Sequence, residues 1–161
     1  MSAVARRRTD KASRLIRAPA ARVYDALTNA DALSAWLPPL GMTAELISFD
    51  AREGGSYRMV LTFTGENHRT PSKTSEHSDA VEVRFVELVR DERIVTSVRF
   101  KSVDPAYLHP MKMAWVFNQA GGGTQVTITC EDVPAPISAE DHAVGLNASL
   151  ENLARFTERC R

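Results

Sequence analysis

The sequence predicts an α+β domain: a curved antiparallel β-sheet of six to seven strands wrapped around a long C-terminal helix, with two short helices after the first strand. Three observations predict it. SYRMVLTFT (56–64) and MKMAWVFNQ (111–119) alternate apolar and polar residues with the two-residue period of half-buried strands. The strings DAREGG, RDER and AGGGT between strand-like runs are hairpin-length turns, so neighbours in sequence should pair antiparallel. Helical patterns are confined to the two ends of the chain, the segregation expected of an α+β fold.

Each element follows in order. Residues 12–18 read as a strand leading into Pro19. Proline suits a first helical turn, where its missing N–H would have no partner anyway. Val23, Tyr24 and Leu27 then share a helical face. Asp31 is the expected cap of a second short helix, DALSAWL, whose apolar side is Leu33, Trp36 and Leu37. Pro38-Pro39 ends it, because a residue before proline is biased away from the α region. MTAELISF (42–49) is a strand. In the next, Tyr57, Met59, Leu61 and Phe63 face one way. GENHRTPSKTSEHSD (65–79) is polar, contains Pro71, and reads as a long loop that could act as a lid. AVEVRFVELV, RIVTSVRFKS, MKMAWVFNQ and TQVTITCEDV complete the sheet, with Met111, Met113, Trp115 and Phe117 on one face. ISAEDHAVGLNASLENLARFTERC is the long helix. Ser138 and Asp141 give it a capping-box-like start. Leu146, Leu150, Leu153 and Phe156 or Thr157 form its apolar stripe. It is the only element long enough to cover the sheet.

The 161 residues fit one domain, which should bury about 70% of its unfolded surface. The expected division is a flexible basic arm over residues 1–10 and a single domain over 11–161. Lys plus Arg equal Asp plus Glu at 20 each, so the formal charge is zero. That argues against a dedicated nucleic-acid binder, which needs surplus cation. The zero conceals an asymmetry. Residues 1–22 hold Arg6, Arg7, Arg8, Lys11, Arg14, Arg17 and Arg22 against Asp10 alone, and the remainder is acidic by the same net amount. No run approaches the ~18 apolar residues of a membrane span, and the N-terminus lacks an apolar leader, so the cytoplasm is the expected compartment.

Motifs for chemistry are sparse. His68, Glu76, His77 and Asp79 share the polar loop but have no metal-ligand spacing, and no metal is expected. His142 begins the last helix beside Asp141 and reads as solvated. Cys130 lies in a strand as a small apolar residue, and Cys160 lies at the chain end. There is no nucleophile elbow, Walker loop or dinucleotide fingerprint, and Gly121-Gly122-Gly123 sits between two strands as a hairpin rather than a phosphate cradle. No catalytic residue and no cofactor is expected. Glu87, Arg93 and Arg99 lie along one hairpin, and strand parity puts Arg99 on the outer face, opposite to Phe100. The apolar face is more informative. Tyr57, Met59, Phe63, Phe100, Met113, Trp115 and Phe117 either form plain core under the helix or partly line a pocket, to which Tyr57, Thr96 and Asn147 would add polar groups, unless Asn147 merely bonds a backbone carbonyl.

Several strings carry a resemblance. IRAPAARVYDALTNADALSAWLPP, FDAREGGSYRM, VELVRDERIVTSVRF, FNQAGGGTQVTITCEDVP and GLNASLENLARF occur in an order similar to the START-like superfamily, also called SRPBCC or helix-grip. Within it the chain resembles the bacterial homologues of the activator of heat-shock protein 90 ATPase, over roughly residues 12–158. The resemblance implies the fold and a hydrophobic cavity between helix and sheet, and fixes no reaction. Leu146 stands where the family often has an aromatic. By the same resemblance Trp36, Leu37 and Leu40 would gate the cavity mouth; the alternative is that Trp36 anchors the helix pair to the sheet. The cavity candidates are therefore Trp36, Tyr57, Met59, Phe63, Thr96, Phe100, Met113, Trp115, Leu146, Asn147 and Leu150. The expected function is binding of a hydrophobic or amphipathic small molecule. The alternatives are a cyclase- or hydrolase-type enzyme using the same cavity, and an interaction module for a chaperone or a second copy of the chain.

Overall fold

The computed structural model describes residues 8–37, 42–63, 78–100 and 109–158. The order is β1 (Thr9–Ile16), α1 (Ala20–Thr28), α2 (Ala30–Trp36), β2 (Met42–Ile47), β3 (Ser56–Phe63), β4 (Ser78–Val89), β5 (Arg93–Phe100), β6 (Met111–Ala120), β7 (Gly123–Glu131) and α3 (Ala139–Glu158). One seven-stranded sheet runs β1-β7-β6-β5-β4-β3-β2, antiparallel throughout. The hairpins are local. The one long-range pairing sets β1 beside β7 at the edge, and α1, α2 and α3 share a core with the inward face of the sheet.

The alternation is the reason the sheet has an inside. In β6 Met111, Trp115 and Phe117 are buried, and in β7 Thr124, Val126, Ile128 and Cys130 are. From α3 come Leu146, Leu150, Leu153, Ala154 and Thr157, so Thr157 rather than Phe156 completes the stripe. Its start is capped as expected, with the Asp141 N–H donating to Ser138 Oγ at 3.0 Å. Its end is tied to α1, where Arg22 Nη1 donates to the Thr157 carbonyl at 3.2 Å.

Two local readings are corrected, and the contacts of Trp36 match one of its two alternatives. β1 begins at Thr9, because Thr9 and Asp10 pair with Glu131 and Cys130, so these two residues belong to the sheet and not to the basic arm. Residues 1–7 lie outside the described residues, as do 64–77, which hold most of the expected lid loop. The cap of α2 is Asn29, not Asp31. Asn29 has extended backbone angles and its side chain accepts from the Ala32 N–H at 3.0 Å, while Asp31 already sits in the first turn. Trp36 is an anchor. Its Nε1 donates to the Ala26 carbonyl at 2.8 Å, and its ring meets Trp115 edge to face at 6.0 Å.

The AGGGT hairpin needs its glycines for two different reasons. Gly122 has φ of +86°. Gly123 lies so close to β1 that a Cβ would stand 2.1 Å from the Ile16 carbonyl oxygen.

Candidate functional site

Between α3 and the sheet lies a hollow of about 290 Å³. Its floor can be built from the strand register. One row crosses the sheet as Asp10, Cys130, Met113, Thr96 and Phe85, each directly opposite the next. A second row runs Met111, Val98, Val83 and Tyr57. Within both rows the residues from Met113 to Phe85 and from Met111 to Tyr57 line the hollow. Side chains two apart on a strand share a face, so the alternation of β3 to β6 delivers this floor directly. The roof is His142, Gly145, Leu146 and Ser149 of α3, and Leu27, Leu33 and Leu37 close one end. The roof residues stand at helical spacings of three and four, one face of α3.

The sequence-derived residues divide. Tyr57, Met59, Thr96, Phe100, Met113, Trp115 and Leu146 line the hollow. Trp36 is buried behind it as the anchor described above, while its neighbour Leu37 lines it. Leu150 is fully buried one turn beyond the roof and is core. Asn147 is corrected as a cavity residue and takes its other alternative: it is exposed, and its Nδ2 donates at 2.8 Å to the Ala143 carbonyl of its own helix. A rotation of ~100° separates adjacent helical residues, which carries Asn147 away from the face of Leu146. The Phe63 side chain and Leu40 lie outside the described residues. Arg99 lies on the other side of the sheet, in a separate polar hollow with Glu82 and Arg84. The Glu87 carboxylate accepts from Arg93 Nε at 2.6 Å beside a bulge between Phe85 and Glu87, and that hydrogen bond holds the Glu87 pKa below its ordinary value.

The polar groups on the walls are few. Thr96 Oγ1 donates to the Met113 carbonyl at 3.2 Å. Tyr57 stacks among Phe49 and Phe85, with ring centroids 5.2 and 5.7 Å away. Burial drives its hydroxyl pKa well above the ordinary phenol value, so it stays protonated. The main correction concerns His142. Its Nδ1 lies 2.6 Å from Asp10 Oδ2, and both side chains are nearly enclosed. Asp10 is in turn clasped by Arg8, with Nε 3.0 Å from Oδ1 and Nη2 2.9 Å from Oδ2. Arg8 Nη2 also donates to the Ile137 carbonyl. Burial by itself would raise the Asp10 pKa, but the hydrogen bonds from Arg8 and His142 outweigh it and hold the carboxyl below its ordinary range. Directly opposite Asp10, the Cys130 thiol is pushed up to about 12, first by burial and then by the Asp10 charge. It stays a thiol and is no nucleophile. Among the described residues no group of three or more His, Cys, Asp and Glu is arranged to hold a metal.

A seven-stranded antiparallel sheet closed by one long C-terminal helix is the helix-grip architecture of START-like proteins. The chain belongs to the family described as Activator of Hsp90 ATPase homolog 1-like protein, whose model matches residues 17–158. A solved protein from Chromobacterium violaceum is similar at 31% identity, with 93% of this chain and 96% of that one covered and a TM-score of 0.81. Two others share the fold: a Rhodobacter sphaeroides protein at 16% identity, 95% and 93% coverage and TM-score 0.77, and an AHSA1-like protein from Aeromonas hydrophila at 15%, 94% and 93%, and 0.71. No curated protein matches the chain. No helix among the described residues is long and apolar enough to cross a membrane.

Proposed function

We propose that the chain binds a hydrophobic or amphipathic small molecule between α3 and the inner face of the sheet. One observation carries the reading: the space under α3 is walled almost wholly by apolar side chains yet stays open, at about 290 Å³. Close-packed interiors leave few voids larger than a water molecule, whereas ligand pockets are apolar with a few placed polar groups. The methionines Met59, Met111 and Met113 on the floor suit varied ligand shapes, because an unbranched thioether adapts to irregular contacts. Thermal-shift measurement against acyl chains, aromatics and polyketide-like compounds tests it. A ligand at a hundredfold excess over its Kd adds about 2.7 kcal/mol to the folded state and raises the midpoint. A panel in which no compound moves the midpoint would sink the reading.

A cyclase- or hydrolase-type reaction in the same cavity is the second reading. It is favoured by His142, a titratable side chain on the wall and oriented by a carboxylate. Turnover abolished by His142→Gln with ligand binding retained would establish it over simple binding.

A further inference from the structure

We propose that His142 receives the acidic headgroup of the ligand: its imidazolium donates from Nε2 to the carboxylate of an amphipathic acid whose apolar body fills the cavity, with Asp10 and Arg8 as positioning residues. This rests on the binding reading above and names its ligand class.

The ring has two nitrogens and Asp10 takes one. An ionised carboxylate only accepts hydrogen bonds, so Nδ1 carries a proton whichever state the ring is in. Nε2 is left, on a residue that forms part of the cavity roof. It accepts when the ring is neutral and donates when the ring is charged. Arg8 and Asp10 cancel each other, so a charged ring leaves the array with one surplus positive charge, which a monoanion complements. The first turn of α3 adds its peptide dipoles in the same sense.

Tyr57 marks how far the hollow extends from the His142 end. It is 92% buried and lines the same cavity. Tyr57 is in β3, five strand spacings from Asp10 in β1, roughly 24 Å along the curved sheet. The floor between them is Met113, Val98, Val83 and Thr96. A molecule with a charged end at His142 and an apolar body over this floor matches that layout.

Few other groups compete for the pH response. On α3, Glu140 and Asp141 are exposed. From β1 comes Asp10, held ionised, and from the residue before β1 comes Arg8. From β7 comes the neutral Cys130 thiol, and from β3 the neutral Tyr57 hydroxyl. Lys112 and Glu131 pair with each other on the exposed side, 3.8 Å apart.

The test is calorimetric titration with decanoate, methyl decanoate and decanol, at about pH 8 and about pH 5.5, on the full chain and on His142→Gln. The preference for acid over ester should grow about tenfold on acidification in the native chain, one charge-assisted hydrogen bond's worth, and stay flat in His142→Gln. Circular dichroism checks that the variant folds. Should it not fold, imidazole nitrogen NMR of the native chain replaces it, and decanoate but not its ester should shift the Nε2 resonance. Equal binding of acid and ester at both pH values overturns the assignment and leaves the cavity reading standing. An unchanged pH response in His142→Gln overturns it too. Failure of all three compounds to bind overturns both.

Discussion

Asp10 Oδ2 and His142 Nδ1 meet at 2.6 Å across 132 residues of sequence, joining the first strand to the first turn of the last helix. The contact fastens α3 at the end where it roofs the cavity. Because Arg8 holds the other side of the carboxylate, Asp10 is the hub of a three-residue array.

Asp10→Asn keeps the shape of the hub and removes its charge. The expected loss at neutral pH is about 1–3 kcal/mol, from weakened bonds to two cationic or polarised donors. The sign of the pH dependence follows from the depressed carboxyl. A carboxylate held below its unfolded value of ~3.9 stabilises fully above that value and loses its effect as pH falls through the lower folded value. The gap between native and variant urea midpoints should therefore narrow toward acid. A gap that stays constant from about pH 7 to about pH 2 would show that the charge of Asp10 contributes nothing.

How much of this was legible in the sequence depends on the range of the interaction. Met113 and Trp115 announce an inward face because alternation is a property of a single strand. Leu146, Leu150 and Leu153 announce a stripe because helical spacing is local too. The roof position of His142 was also open to this reasoning, since 142, 145, 146 and 149 share the spacing of one helix face. Its partner was not. Asp10 reaches it only through the β1–β7 pairing, and nothing within a few residues of His142 signals that. For Trp36, the pattern gave an apolar side but could not distinguish an anchor from a gate. The hydrogen bond to Ala26 decides it, and that depends on the angle between α1 and α2.

Trp36→Phe tests the anchor. Ala26 lies in the last turn of α1, where carbonyls lack helical partners, and the indole N–H supplies one. Phenylalanine keeps much of the contact with Trp115 but leaves that carbonyl buried and unpaired. The expected cost is about 1–3 kcal/mol in chemical denaturation. A loss below the scatter of surface substitutions, within about 0.5 kcal/mol, would mean the bond is replaced by water.

Asn147 and Leu150 give a paired test on neighbouring turns of α3. Leu150 is fully buried, so Leu150→Ala should cost about 2–5 kcal/mol through lost transfer energy and a cavity. Asn147→Ala removes only an exposed bond to its own helix, and alanine is the better helix former, so the change should stay within about 0.5 kcal/mol. Comparable losses at both positions would place the buried face of α3 elsewhere.

Leu146→Phe addresses the open space itself. Leu146 is on the roof and nearly enclosed, so added bulk there can go only into the cavity or against packed neighbours. If the hollow accepts the ring, the new contacts should stabilise the fold by about 0.5–2 kcal/mol, as filling a void does. The same ring should weaken decanol binding at least about tenfold, because it occupies the space the ligand's apolar body needs. Stability and binding should thus move in opposite directions. Overpacking predicts a different pair of results, a loss of about 1–3 kcal/mol with decanol binding unchanged, and that outcome would exclude Leu146 as a wall of the binding site. Thermal midpoints and calorimetric titration on one variant separate the two, since a merely damaged fold cannot gain stability while it loses ligand.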